Sequence, residues 1–529
     1  MKYYIFRNST IENLFSGLDA NFSGYGDITV PDVTADVYVW FYLPTFKADL
    51  RKTAEEISVY YETLQFIHSK IPENKTFLIF TLQNIFELRY LTGDFLLNKS
   101  IENFNTQTEK LASQYSNIKI IDFARFTKNY ASEQLIDWKY YFISKMQINP
   151  RIAKDFKKWF AKEINAVLLK RKKCIVLDLD NTLWGGVLGE DGISGIQIGG
   201  DYPGNAFLMF QEFLVELGKN GVILTLCSKN NEQDVLELWA KNPFIVLKEE
   251  HIAAYRINWN NKAQNIQELA DELNIGLDSM VFIDDNPSER ALVRQTLPMV
   301  TVAEFPEQPY LLPVFMEQLL RNEFAVYALT NEDTQKTAQY KANAERAQEQ
   351  KKFVDFDEYL QSLAMELTIE AATPFTVSRI AQMTQKTNQF NLTTKRYTEN
   401  DIQNFLNAGN PVYSLSVKDK FGDNGITGAI ILKKINEISY EIDSFLLSCR
   451  ILGKNIEEAF LYNILDKLKK QGIKEVQAQY IPTAKNEQVK DFYDKMGFQQ
   501  IDKKQDCLIY KTDIFSRDFT VKHFYIIHD

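Results

Sequence analysis

At 529 residues the chain is too long for one hydrophobic core, and its length points to roughly three or four domains. Hydrophobic residues make up 45% and aromatics 13%, enough for each domain to bury a normal core, while the net charge of −10 excludes a general nucleic-acid binder, which needs a basic field. Four cysteines without a C-x-x-C pair and only four histidines argue against a zinc site or a disulfide framework. No run of 18 apolar residues occurs, and Met1–Arg7 lacks the apolar segment of a signal peptide, so a cytoplasmic protein that does not engage a membrane is expected.

In chain order, strand patterns at Tyr3–Phe6, Asp36–Tyr42, Thr76–Thr81 and Ile118–Phe123 alternate with helical patterns at Lys47–Lys70 and Ile101–Tyr115. This predicts a small parallel α/β domain over 1–150. A Lys- and Phe-rich helix over about 151–170 leads to a second alternating region, 171–322. Its strands are predicted at Cys174–Leu177, Val222–Cys227, Ile245–Leu247, Met280–Ile283 and Met299–Val302. Its helices are predicted at Ala206–Asn220, Glu232–Lys241 and Lys262–Leu273. Residues 323–354 read as a helical linker, with an exposed helix over 331–352 capped by Asn331; a disordered linker is the alternative. From 355 to 529 the pattern becomes α+β. A helix at Thr376–Gln385 precedes strands at Val412–Lys418, Ile426–Ile435 and Ile438–Leu447; helix Ile456–Gln471, strand Glu475–Tyr480 and helix Asn486–Lys495 follow. The fold class is therefore α/β multidomain.

The chemistry concentrates in the middle region. Cys174–Leu177 reads as a buried parallel strand, and it ends in Asp178-Leu179-Asp180-Asn181-Thr182. Ligands of open α/β sheets bind beyond such strand ends. Asp178 suits a nucleophile that attacks a phosphoryl group, and Asp180 an acid that protonates the leaving oxygen and later activates water. Ser228 ends the next strand and offers a hydroxyl to a phosphate oxygen. Lys262 opens a helix and can neutralise the charge of the phosphoryl group and of the nucleophile. Asp284 ends Met280–Ile283 and would complete a Mg²⁺ shell with Asp178 and the backbone carbonyl of Asp180, supported by Thr182, Asp285 and Asn286. Each element alone is ordinary turn chemistry. The four in order, each at a strand end or helix start, point to phosphoryl transfer.

This four-part pattern resembles the haloacid dehalogenase (HAD) superfamily across roughly 171–320. The resemblance implies a Rossmann-like sheet, Mg²⁺ and an aspartyl-phosphate route, and an Asp at position 180 matches its phosphatases and mutases rather than its dehalogenases. Only about two dozen residues separate Asp180 from the helix at Ala206, so the site is expected to lack a cap domain. The glycine cluster Trp184-Gly185-Gly186-Val187-Leu188-Gly189-Glu190-Asp191-Gly192 reads as a flexible turn, which is compatible with a substrate flap.

The C-terminal region resembles the GNAT acyltransferase fold. Arg450 and Gly453 in Ser448-Cys449-Arg450-Ile451-Leu452-Gly453-Lys454-Asn455 match the R/Q-x-x-G-x-G/A run that holds the pyrophosphate of coenzyme A, and Asn455 departs from its last small position. Asn486 and the stretch Phe492–Phe498 match another GNAT segment, in which Tyr493 stands at a general-acid position or is simply a packed helix residue. The N-terminal region resembles the SGNH-hydrolase-like domain, with Asn8-Ser9-Thr10 where a nucleophilic serine would stand. No histidine follows Asp137 before position 251, and His68 lies mid-helix, so this domain is expected to be catalytically silent and to serve in docking or as a lid.

Taken together, Asp178–Gly192, Cys227–Asn230, Phe282–Arg290, Gln385–Thr393, Phe421-Gly422-Asp423 and Ser448–Gly453 resemble the FkbH-like family. That family is known for making carrier-protein-bound glyceryl units from 1,3-bisphosphoglycerate. The resemblance implies a phosphorylated small-molecule substrate, an acyl carrier protein partner and a coenzyme A or phosphopantetheine thioester. It places the chain in polysaccharide, capsule or polyketide-type biosynthesis. Cys227 is the thiol nearest the proposed site, as a thioester carrier or as a buried structural cysteine. The polar run Lys386–Thr394 suggests a binding surface or plain turn and capping use of its Asn and Thr. Two other readings stay open: a coenzyme A-dependent N-acyltransferase acting on an amino sugar, and a non-catalytic scaffold that binds a carrier protein.

Overall fold

The computed structural model describes residues 1–30, 35–72, 75–86, 96–168, 170–327, 339, 342, 346, 349, 352–448, 451–504, 507–519 and 525–528. Most of the expected linker helix, including Asn331, lies outside them, as does Arg450. The chain divides into two compact units, 1–167 with 398–401, and 168–397 with 402–529. Among the described residues no helix is long and apolar enough to cross a membrane.

The first unit is built on β1 (Lys2–Arg7), β2 (Asp19–Tyr25), β3 (Val37–Phe41), β4 (Thr76–Phe80) and β5 (Ile118–Ile121). All pair in parallel, in the order β2-β1-β3-β4-β5. Strand β2 was not expected: its polar sequence DANFSGY alternates weakly because it is an edge strand with most residues exposed. The predicted helix Lys47–Lys70 is two helices, Leu50–Ser58 and Tyr60–Lys70, broken at Val59.

In the second unit, β6 (Cys174–Leu177), β7 (Ile223–Ser228), β8 (Ala254–Ile257), β9 (Met280–Ile283) and β10 (Thr301–Val302) form a parallel sheet in the order β10-β9-β6-β7-β8. Strands β6, β7 and β9 read as unbroken apolar runs because helices cover both faces of the sheet. The chain runs outward from β6 in both directions, so a crevice opens beyond the carboxyl end of β6. Ile245–Leu247 is not a strand. It is a buried loop whose Val246 and Leu247 amides donate to Gln211 Oε1, and the sheet's outer strand is β8 instead.

A third, mixed sheet contains β11 (Met365–Ala371), β12 (Phe390–Asn391), β13 (Val412–Asp419), β14 (Gly422–Asn436), β15 (Ser439–Leu447), β16 (Glu475–Tyr480), β17 (Gln499–Lys504), β18 (Cys507–Asp513) and β19 (Tyr525–His528). Its order is β17-β18-β16-β15-β14-β13-β11-β19, with β12 attached to β15. The parallel pair β15–β16 is joined by helix Ile456–Lys470 and pairs only over Ser439–Ile442 and Glu475–Ala478. Beyond that point the strands are bridged by the chain itself: Leu392 N donates to Phe445 O at 3.2 Å and Ile481 N to Leu392 O at 2.8 Å. The expected helix Asn486–Lys495 is a 3-10 turn at Glu487–Val489 followed by one turn of helix at Phe492–Lys495.

Candidate active site

Register brings the predicted groups together. Leu177 pairs with Leu226 on β7 and with Ile283 on β9, so Asp178, Ser228 and Asp284 emerge from three adjacent strand ends. The Asp178 amide donates to Ile283 O at 2.9 Å, fixing the two aspartates side by side. Lys262 begins the helix Lys262–Leu273, whose Asn261 cap accepts from Ala263 N at 2.8 Å. Its ammonium lies 2.8 Å from Asp178 Oδ1 and 2.6 Å from Asp284 Oδ2. All four side chains are buried.

A charge cluster this dry is costly unless it is balanced. Carboxylate oxygens of Asp178, Asp284 and Asp285 all lie within 4.8 Å of one another. Lys262 pairs with two of these three carboxylates, and the Arg290 guanidinium acts on the third, Asp285. Burial pushes the Asp178 carboxyl up to about 7, opposed by Lys262 and reinforced by Asp284. Asp285 is also raised, by burial and then by Asp284. Burial works against the Lys262 charge, but Asp178 and Asp284 outweigh it and raise its pKa. Three hard oxygen donors within reach of one another fit a hard divalent cation.

Asp180 faces the same crevice but is held differently. Its Oδ1 accepts from Trp184 Nε1 and from Leu188 N, each at 3.0 Å, and its Oδ2 accepts from Asn230 Nδ2 at 2.9 Å. Asn230 also donates to Ser228 Oγ at 3.3 Å. Thr182 Oγ1 accepts from Asp285 N at 3.1 Å. The Asn286 amide donates to Asp284 Oδ1 at 2.9 Å, and its side chain caps the helix that opens with Pro287. Arg290 clamps the same strand end by donating to the carbonyls of Asp284 and Asp285 at 2.8 and 2.6 Å. Trp184, Asn230 and Arg290 were not among the expected site residues. Asn230, two positions after Ser228 in the same strand-end turn, was the one nearest to being legible.

The Trp184–Gly186 turn is fastened rather than loose. Gly186 N donates to Asn181 Oδ1 at 2.9 Å, Gly185 bridges to Gln197, and the insertion carries a helix, Leu188–Gly195. At Gly186 φ is +95°, and a Cβ there would lie 2.6 Å from Asp191 Oδ2, so only glycine fits without displacement. Residues 185–203 contain no cap domain.

The remaining expected residues lie elsewhere. Cys227 is buried with its thiol 3.7 Å from Lys262 O, and burial pushes it up to about 12. Tyr493 is 1% exposed, packed against Phe492, Phe498 and Tyr510, with no hydrogen-bond partner for its hydroxyl among the described residues. Asn486 is fully buried and ties loops together, donating to the carbonyls of Asn391 and Ile481 and accepting from Thr483 N. Gly453 has φ +73° and open space around it, just ahead of helix Ile456–Lys470. Near that helix start burial raises the Glu457 pKa, and its Oε2 is buried without a hydrogen-bond partner among the described residues. In the first unit Ser9 is buried and its hydroxyl has no partner among the described residues.

Residues 173–308 match the NLI interacting factor-like phosphatase family. The chain is similar to the N-terminal part of BF1531 from Bacteroides fragilis, a structure containing a phosphatase domain complexed with Mg. The two are 29% identical, with 62% of this chain and 95% of that one covered and a TM-score of 0.51. Two acetyltransferases align over shorter stretches. The ribosomal-protein-S18-alanine N-acetyltransferase from Escherichia coli is 13% identical, covering 30% of this chain and 99% of that one with a TM-score of 0.24. Ard1 from Thermoplasma volcanium is 17% identical, covering 28% and 97% with a TM-score of 0.23. No curated protein matches the chain. The chain is an enzyme, and its β6–β10 sheet carries a phosphatase domain of the HAD type.

Proposed function

We propose that this chain is a Mg²⁺-dependent phosphatase acting through Asp178, fused to an acyltransferase-like module. The observation that carries the reading is Lys262 lying between Asp178 and Asp284, with Asp285 beside them, at the crevice beyond β6. The Mg bound to the similar Bacteroides fragilis domain supports the choice of ion. Asp178, Asp284 and Asp285, with the Asp180 carbonyl, would hold it, and the ion when bound supplies charge neutralisation between nucleophile and phosphate. An Asp178 carboxylate oxygen attacks phosphorus, the P–O bond to the leaving group breaks, and Asp180 gives that oxygen its proton. Asp180 then takes a proton from water, which attacks the aspartyl-phosphate and releases phosphate with the Asp178 carboxylate regenerated. Ser228 and Lys262 bind the phosphoryl oxygens. Trp184, Leu188 N and Asn230 hold Asp180 in position. The test is phosphate release from an aryl phosphate with and without Mg²⁺; unchanged release in Asp178→Asn refutes the nucleophile.

The physiological substrate we assign is a phosphorylated three-carbon acyl compound, with 1,3-bisphosphoglycerate as donor and a carrier protein as acceptor, in glycan, capsule or polyketide-type biosynthesis. The residues quoted for the FkbH-like resemblance support this reading. The buried Cys227, with its raised pKa, makes thiol transfer the weaker part of the assignment. Mass spectrometry after incubation with 1,3-bisphosphoglycerate and Mg²⁺ tests it: a glyceryl adduct on a cysteine supports the thioester route, and phosphate release without an adduct removes it. The first unit, with its SGNH-like resemblance, serves in this reading for docking rather than catalysis. Coenzyme A-dependent acyl transfer comes second, because Leu392 bridges β15 and β16 and a buried carboxylate, Glu457, stands at the start of helix Ile456–Lys470.

A further inference from the structure

Three of the loops beyond the phosphatase sheet are tied to one another. Thr182 Oγ1 accepts from Asp285 N, joining the loop after β6 to the loop after β9. Asn230 joins the loop after β7 to Asp180. Lys229 Nζ lies 2.6 Å from Glu289 Oε1, so an ion pair runs from the end of β7 to the helix after β9, across the end of β6. The insertion over 185–203 is fastened to Asp180 through Leu188 N. The loop after β8 stands outside these ties. Among the described residues it joins the centre through Asn258 N, which donates to Ser228 O at 3.1 Å, and through Lys262.

That loop is short and stiff. Asn258 Oδ1 accepts from Asn260 N at 3.0 Å and from Asn265 Nδ2 at 2.8 Å, and Asn261 Oδ1 accepts from Ala263 N at 2.8 Å. The first of these bonds makes a side-chain turn with Trp259 at its apex. Asn265 is buried and anchors the turn to helix Lys262–Leu273. Trp259 is 75% exposed, whereas Trp40, Trp159, Trp184 and Trp239 are buried. Trp138, the other exposed indole, packs on Phe46 and Tyr141. Among the described residues the Trp259 indole has no ring contact and no hydrogen bond. A single exposed apolar side chain is ordinary on a protein surface. This one differs in that its turn is fixed, and three residues further on the same loop delivers Lys262 to the nucleophile.

We infer that Trp259 is a specificity-determining residue of the phosphatase site, packing its ring against the carbon skeleton of the substrate's leaving group. The inference rests on the phosphatase reading of Asp178. With the loops after β6, β7 and β9 tied to one another, the leaving group passes over the end of β8, where the indole stands. The ring offers a broad apolar face and one N–H donor, and its fixed turn lowers the ordering cost of the contact. The favoured substrates are phosphate esters or anhydrides with an extended leaving group, since a two-carbon group covers little of the ring.

The test is steady-state kinetics of the full chain with Mg²⁺, using phenyl phosphate as the broad probe and acetyl phosphate as the small one. Trp259→Ala should raise the KM for phenyl phosphate by about tenfold and change kcat by less than about twofold, because the contact is made alike in the ground and transition states. The KM for acetyl phosphate should move by less than about twofold. Trp259→Phe, which keeps a ring on the same turn, should hold the KM for phenyl phosphate within about threefold of wild type. An unchanged KM for phenyl phosphate in Trp259→Ala overturns the inference. So does an equal rise with both probes, since the turn and Lys262, and not a contact with the leaving group, would then have been disturbed. If wild type releases phosphate from neither probe, the phosphatase reading itself fails and this inference falls with it.

Discussion

Two parallel sheets in this molecule place a polar residue just after a buried first strand, and they differ in everything around it. After β6 stands Asp178, with Ser228 and Asp284 on the flanking strand ends and an ammonium 2.8 Å away. After β1 stands Ser9, whose hydroxyl has no partner among the described residues. Its neighbour Asn8 is committed to Leu43 O and the Tyr60 hydroxyl at 2.7 and 3.0 Å. The one histidine of that unit, His68, contacts Asn117 just before β5, at the amino-terminal end of the sheet. It cannot reach a serine beyond the carboxyl end of β1. A strand end supplies a place for chemistry; converging charges with matched partners supply the chemistry.

The comparison breaks first at the nucleophile. Asp178→Asn should lower Mg²⁺-dependent aryl phosphate hydrolysis by about 10⁴-fold or more, because an amide cannot form the phosphoryl ester. Next comes Lys262→Met, expected to cost about 10²–10³-fold in rate. It should also destabilise the metal-free protein by about 3–5 kcal/mol, since Asp178 and Asp284 then face each other buried with no counter-charge; denaturant unfolding in EDTA measures this. Asp180→Asn keeps an acceptor for Trp184 and Leu188 N, sets an amide donor against Asn230 Nδ2 unless that amide turns, and removes the acid; it should slow turnover by about 10²–10⁴-fold, least for substrates with good leaving groups.

A pH effect separates the two strand ends more gently. In the metal-free protein Asp178 is pushed up to about 7 from an ordinary value of 3.8. The folded state therefore holds that proton more tightly than the unfolded chain does. Its stabilising contribution is full below the unfolded pKa and is lost as pH rises through about 7. In EDTA, wild type should lose unfolding midpoint relative to Asp178→Asn between about pH 4 and pH 8, and saturating Mg²⁺ should abolish that difference. The smallest effect belongs to the other sheet: Ser9→Ala should leave phosphatase activity and thermal midpoint nearly unchanged, because it removes a hydroxyl that holds no hydrogen bond among the described residues. A large loss of activity would return Ser9 to the list of functional groups.

Much of the candidate site was legible because its residues are placed locally. Three apolar strands end in Asp178, Ser228 and Asp284, a helix opens on Lys262, and parallel pairing in register brings such ends together. Short runs were less informative. Ile245–Leu247 is the more apolar segment, yet β7 pairs with Ala254–Ile257, which carries Arg256. The Leu188–Gly195 helix was hidden by its glycines, and the break at Val59 by a continuous helical pattern.

The sequence by itself determined the repeating βα order, the polar residues at the strand ends and the charge types of the candidate site, since these follow from the residues over short stretches. Tertiary structure alone decided that Asn230, Trp184 and Arg290 hold that site in place and that Leu392 bridges β15 to β16. These contacts join residues far apart in the chain. They are selected by burial and hydrogen-bond satisfaction in the packed state, which local pattern does not encode.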